Sequence, residues 1–178
     1  QINAVTAETT VLATSKDFSD VTAAAFDQEG TYYLAFKNQI YVYDLDTNTK
    51  VLIAEGGNNL SFSSIAVDPV QEDGTTYMYL TVGDDLYKVE VNPGDPVENI
   101  GDDEYVGHIE DVDNDAYTID GLAFDDNGTL WGLGNEGVIV EINQEDATAT
   151  YVTTIAVNEV TGNGAHSLAI SIVNPGTY

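Results

Sequence analysis

A chain of 178 residues with an apolar fraction of 43% has the length and composition of one folded domain with its own core. Its 31 acidic residues face 4 lysines and no arginine, a net charge of −27; that excludes nucleic acid as a partner, because its binding depends on basic side chains neutralising phosphates, and works against anionic membrane surfaces. The lack of cysteine excludes disulfides, thiol catalysis and thiolate metal sites, and no apolar run is long enough to span a bilayer.

Taken in chain order, the sequence predicts short strands separated by turns and almost no helix. The run Asp20–Ala25 is too short for a helix. Ala24-Ala25-Phe26-Asp27 followed by Gly30-Thr31-Tyr32 reads as a strand, a turn and a second strand; Gln39–Asp44 and Lys50–Ala54 supply two more. The order then repeats. Ile65-Ala66-Val67-Asp68 leads to Gly74-Thr75-Thr76 across a longer turn, then to Asp85–Glu90 and to an outer strand at Val97–Ile100. An acidic segment, Gly101–Ala116, reads as an insertion. The clearest copy follows in Gly121–Asn143: Leu122-Ala123-Phe124, the turn Asp125-Asp126-Asn127-Gly128, the strand Thr129–Leu133, the turn Asn135-Glu136-Gly137 and the strand Val138–Ile142. Ala149–Ile155 is its outer strand. Leu168-Ala169-Ile170-Ser171 with Gly176-Thr177-Tyr178 opens a further copy.

The residues that end the first strand of each copy, Asp27, Asp68, Asp125 and Ser171, stand 41, 57 and 46 residues apart. Four-stranded units at this period define an all-β fold of the β-propeller type, with about four blade equivalents. Residues 1–16 read as the end of a blade, 17–59, 60–116 and 117–165 as blades, and 166–178 as the start of another. The motif Gly-Leu-Ala-Phe-Asp, Gly-Thr-Leu-Trp-Gly, Ile-Val-Glu-Ile resembles the blade repeat of secreted bacterial and archaeal β-propellers, similar to the NHL, YVTN and lactonase-type groups. The resemblance implies architecture rather than activity, since such blades serve enzymes, adhesins and scaffolds alike. Lactonase-type propellers hold a metal in the central channel with Glu, Asn and Asp; no residues here can be matched to those positions.

The permuted ends allow two outcomes. The terminal strands close a ring within one molecule, or they pair with neighbouring molecules head to tail and build a filament. A start at Gln1 with no apolar leader fits a mature secreted product or a segment of a longer protein. Secretion also gives meaning to the sequons at Asn59 and Asn127, candidate N-glycosylation sites. The acidity itself fits solubility at high ionic strength, binding of a hard cation, or recognition of a basic partner.

For chemistry, the acidic insertion is the leading candidate. Asp111, Asp113 and Asp115 alternate, with Asp120 further on, and such spacing can aim several oxygens at one Ca²⁺ ion. The EF-hand pattern is broken, with Ala116 in place of the turn glycine and Leu122 in place of the final Glu, and a solvated acidic loop is the competing reading. Asp27, Asp68 and Asp125 recur with the repeat and read as structural turn residues. His108 and His166 lie apart from any catalytic spacing, and the tyrosines read as packing between blades, with a sugar-stacking platform as the alternative. No nucleophile elbow, P-loop or dinucleotide motif is present. The expected role is a structural or adhesive module of an extracellular or cell-surface assembly, through self-association or an extracellular protein or glycan. The alternatives are a metal-dependent hydrolase of lactonase type and a carbohydrate- or protein-binding module.

Overall fold

The computed structural model describes residues 20–57, 60–69, 75–91, 97–101 and 104–155. Within them the apolar alternation and the Asp-, Asn- and Gly-bearing turns produce thirteen strands in three sheets. Strands β1 (Ala23–Phe26), β2 (Tyr32–Phe36), β3 (Gln39–Asp44) and β4 (Thr49–Gly56) form an antiparallel meander. Next come β5 (Ser64–Val67), β6 (Thr76–Val82) and β7 (Asp85–Val91), then β8 (Val97–Ile100) and β9 (Tyr105–His108). The third unit is β10 (Ile119–Phe124), β11 (Leu130–Gly134), β12 (Val138–Ile142) and β13 (Ala149–Thr154), with a 3-10 turn at Asn135–Gly137.

One assignment from the sequence is corrected. Val97–Ile100 does not complete the second sheet. It crosses to the first and pairs in parallel with β4, Ala54 opposite Val97 and Gly56 opposite Ile100. The second sheet takes its outer strand from within the acidic segment instead: β9 pairs with β7, Asp85 opposite His108 and Leu86 opposite Gly107. Packing accounts for the exchange. Ile100 is fully buried among residues of the first two sheets, while the Tyr105 ring meets Tyr87 edge-on at 5.5 Å. Gly101–Ala116 is therefore only partly an insertion, since it contains a strand of the fold.

The innermost strands β1, β5 and β10 lie side by side, so the sheets are arranged as successive blades around a common axis. One apolar cluster fills the wedge between the first two blades, with Ile40, Ile53, Phe62, Met78, Leu80 and Val89 each at 0% exposure. A second fills the wedge between the second and third, built on Leu86, Ile109, Ile119, Leu130 and Val140. Side chains of this kind each contribute roughly 1.5–3 kcal/mol on burial, so the wedges hold the blades together. Polar stitching fixes their alignment: Leu122 N–H donates to Ser64 Oγ at 2.7 Å, Ser63 Oγ donates to the Ile119 carbonyl at 3.2 Å, and Ile119 N–H donates to the Gly83 carbonyl at 3.1 Å.

The blades share a finer detail. In each, the pairing of the third strand with the fourth slips at the same place, after the strand's second residue: Ile40/Tyr41, Leu86/Tyr87 and Ile139/Val140. An irregularity there increases local twist, which suits a blade whose outer strand must turn away from the axis.

Candidate functional site

The aspartate that ends the first strand organises the turn after it. Asp125 Oδ1 accepts the backbone N–H groups of Asn127 and Thr129, both at 2.9 Å, and Oδ2 accepts the indole N–H of Trp131 at 3.3 Å. Asp27 does the same with the N–H groups of Glu29 and Thr31 and the hydroxyl of Tyr33. Glycines at positive φ, Gly30 at +88° and Gly128 at +80°, close both turns. In the second blade Tyr79 stands opposite Ala66, as Tyr33 stands opposite Ala25 and Trp131 opposite Ala123. Tyr79 is fully buried, and burial together with the nearby Asp68 charge pushes its hydroxyl pKa up.

The acidic segment contains the same device. Asp111 Oδ1 accepts the N–H groups of Asp113 and Asp115, Oδ2 accepts the Tyr117 hydroxyl at 3.5 Å, and Asn114 takes the positive-φ position at +64°. An aspartate followed six residues later by an aromatic donor is thus a signature of this turn in Asp27/Tyr33, Asp111/Tyr117 and Asp125/Trp131. The spacing is visible in the sequence and is least conspicuous where the residues between are acidic.

Electrostatics follow the geometry. The Thr129 N–H leads the interactions that hold the Asp125 carboxyl below the ordinary carboxylate range. Burial, then the adjacent Asp27 charge, pushes the Tyr33 hydroxyl up to about 12. Tyr117 is shifted the same way, by burial first and then by Asp111.

The four acids named for one cation are not among the described groups of three or more whose donor atoms lie within 4.8 Å of one another. Asp111 is committed to its turn, Asp113 and Asp115 are exposed beside it, and Asp120 is half-buried on innermost strand β10. Of the sequons, Asn127 is exposed in the β10–β11 turn and Asn59 lies outside the described residues, as does His166. Among the described residues, one group of three His, Asp or Glu side chains has its donor atoms within 4.8 Å of one another: Asp84, Asp85 and His108. His108 Nδ1 lies 2.7 Å from Asp85 Oδ1, which also accepts the Tyr105 hydroxyl at 3.3 Å. Sequence spacing gives no sign of this group, because its members meet only through the β7–β9 pairing.

The tyrosines serve packing first. Tyr33, Tyr43, Tyr79 and Tyr87 are all buried. The more accessible rings of Tyr41 and Tyr77 lie under lysines, Lys50 at 4.7 Å and Lys88 at 4.3 Å from the respective centroids.

The innermost strands border two open cavities. One, of about 490 Å³, is walled by residues such as Ala25, Ile65, Val67 and Leu122, with Asp27 and Asp125 at its edge. The other, of about 280 Å³, meets Ser63, Ser64 and Asp120. The three inner strands read AAAF, SIAV and IDGLAF, so Asp120 is their single acid. The described lining of the first cavity combines its apolar groups with the polar side chains of Asp27, Gln28, Asp125 and Asp126.

With that geometry in place, the class of protein is defined: an all-β chain of the β-propeller type. No protein-family pattern matches the sequence, and no curated protein sequence matches it. Among solved structures, the chain is similar to YCF48 from Cyanidioschyzon merolae, with a TM-score of 0.51 and 13% identity over 82% of this chain and 42% of that one. It is also similar to the PQQ-bound aldose sugar dehydrogenase of Streptomyces coelicolor, with a TM-score of 0.49 and 19% identity over 71% of this chain and 45% of that one. Both are propeller-type proteins, and the chain spans less than half the length of either. At such identities the likeness concerns fold alone. No helix among the described residues is long and apolar enough to cross a membrane.

Proposed function

We propose that this chain is a non-catalytic, acidic propeller-type module of an extracellular or cell-surface assembly, with a structural or adhesive role. One observation carries the reading: the carboxylates that head the Asp-x5-aromatic turns are consumed in building those turns. Asp27, Asp111 and Asp125 each spend both carboxylate oxygens on their own turns and on an aromatic donor. What remains outward is a densely acidic surface, which suits a module kept soluble at high ionic strength and brought to its partners through screened contacts.

The assembly forms by self-association or by contact with another extracellular protein or glycan, and head-to-tail strand pairing is its polymeric version. Ca²⁺ enters as a counter-ion that lets acidic surfaces approach. Light scattering across a range of protein concentrations, at high salt with and without CaCl₂, together with binding to immobilised surface glycans, tests the reading. Mass that grows with concentration, or saturable retention on one glycan class, supports it. A monomer of fixed mass that no glycan retains overturns it, as does turnover of a lactone or ester by the purified chain.

A further inference from the structure

The Asp84, Asp85 and His108 group belongs to none of the structural devices described above. Asp84 and Gly83 form the two-residue turn between β6 and β7, with Val82 opposite Asp85 and Gly83 at φ +66°. That turn type fixes the direction in which its residues project. Asp85 begins β7 and His108 ends β9, and the two face one another directly in the ladder. The Asp84 carbonyl also accepts the Ile109 N–H at 2.7 Å, and Ile109 is fully buried in the second apolar cluster. Tyr105 adds a hydroxyl on Asp85 and a ring set edge-on to the imidazole at 6.0 Å. Three side chains are therefore carried by a tight turn and two paired strands of the second blade, with His108 itself exposed.

We infer that Asp84, Asp85 and His108 form a binding site for a divalent first-row transition metal ion, Zn²⁺ in the first instance. One imidazole nitrogen with two carboxylate oxygens is a donor set that such ions accept, whereas Ca²⁺ and Mg²⁺ prefer oxygen throughout. The separations suit it. Zn–N and Zn–O bonds of about 2.0–2.2 Å place tetrahedral ligand atoms roughly 3.4 Å apart, and the three donor atoms already lie within 4.8 Å of one another. Small side-chain rotations at the accessible edge close the difference. The metal takes the position between Nδ1 and Asp85 Oδ1 that a hydrogen bond spans without it, and water completes the coordination. The Tyr105 hydroxyl on Asp85 acts from outside the ligand set, orienting the carboxylate as outer partners of metal ligands do. The net charge of −27 raises the local concentration of any cation, so specificity has to come from the imidazole.

The test titrates the full chain with Zn²⁺ by calorimetry, and with Co²⁺ by visible absorption, in a buffer holding excess Ca²⁺ to saturate diffuse acidic sites. The variants are His108→Gln, Asp84→Asn, Asp85→Asn and His166→Gln, each checked for an unchanged far-ultraviolet spectrum. Because the three ligands are at least partly exposed, their replacement leaves the core intact; Tyr105→Phe supplies a further variant outside the donor set. The expected result is one Zn²⁺ per chain that survives Ca²⁺, with Co²⁺ bands of a four- or five-coordinate ion. Removing one ligand weakens binding by at least about tenfold, the lower bound seen for outer-shell partners. His166→Gln binds as the parent does. Equal Zn²⁺ affinity in His108→Gln and the parent overturns the assignment, as does displacement of the Zn²⁺ by Ca²⁺ or an equal loss in His166→Gln.

Discussion

The indole N–H of Trp131 donates to Asp125 Oδ2 at 3.3 Å across the β10–β11 turn, while Oδ1 of the same carboxylate holds two backbone N–H groups. One side chain thus sets the turn and anchors an aromatic ring of the next strand. Asp27 with Tyr33 and Asp111 with Tyr117 repeat the arrangement.

Replacing Asp125 separates its two duties. Asp125→Ala removes the acceptors for all three donors and is expected to lower stability by about 1–3 kcal/mol. Asp125→Asn can keep the backbone contacts through Oδ1 but turns an amide N–H₂ towards the indole donor, so it costs less than the alanine variant and shifts the indole emission. Trp131 is the sole tryptophan, so urea unfolding followed by its fluorescence reads both effects. Equal stability of Asp125→Ala and the exposed-site control Asp126→Ala would remove the anchoring role.

The pH response carries a definite sign. The folded Asp125 carboxyl lies below its ordinary value of about 3.9. Its contribution is therefore present above the unfolded value and is lost as pH falls through the folded one. The stability difference between the parent and Asp125→Asn should shrink as pH drops from about 5 towards 2. Comparing the two chains cancels the relief of self-repulsion that protonation brings to every other carboxylate. A difference that stays constant or grows on acidification would contradict the assignment.

Gly107 in β9 sits against the Asp146 backbone and the Ala147 methyl. A Cβ there would stand 2.8 Å from the Asp146 carbonyl oxygen, whereas one on Gly57 would meet nothing within 4 Å. Gly107→Ala should cost about 1–3 kcal/mol by overpacking, and Gly57→Ala should be close to neutral. Thermal unfolding of the two variants side by side decides it; similar midpoints would mean that β9 is not held against the third blade.

The acidic segment can be divided by function. Deleting residues 101–116 removes β9 and leaves the β7 edge unpaired, so unfolding should occur at clearly lower urea than in the parent. Asp113→Asn with Asp115→Asn changes two exposed side chains and retains the backbone N–H groups that Asp111 accepts; its midpoint should stay within about 0.5 kcal/mol of the parent. If the deletion proves as stable as the double variant, β9 contributes nothing to the fold.

Ionic strength should stabilise the chain. At −27 the folded state repels itself, and raising salt from 0.01 to 1 M shortens the screening length from about 30 to about 3 Å. The melting temperature is expected to rise over that range. A flat or falling dependence would show that the acids are compensated within the fold.

The sequence by itself determined the all-β class, the blade period, and the structural standing of Asp27 and Asp125, because these depend on local rules: alternation for strands, and Asp and Gly chemistry for turns. It also held the six-residue interval from Asp111 to Tyr117, set within a run of acids. What only the tertiary structure decided were the non-local choices. Val97–Ile100 joins the first sheet and Tyr105–His108 the second because Ile100 and the Tyr105 ring find their packing partners there. His108 reaches Asp85 from 23 positions along the chain only because two strands align them. Local sequence specifies which segments become strands and how each turn closes; which edge a strand joins depends on which wedge has room for its side chains.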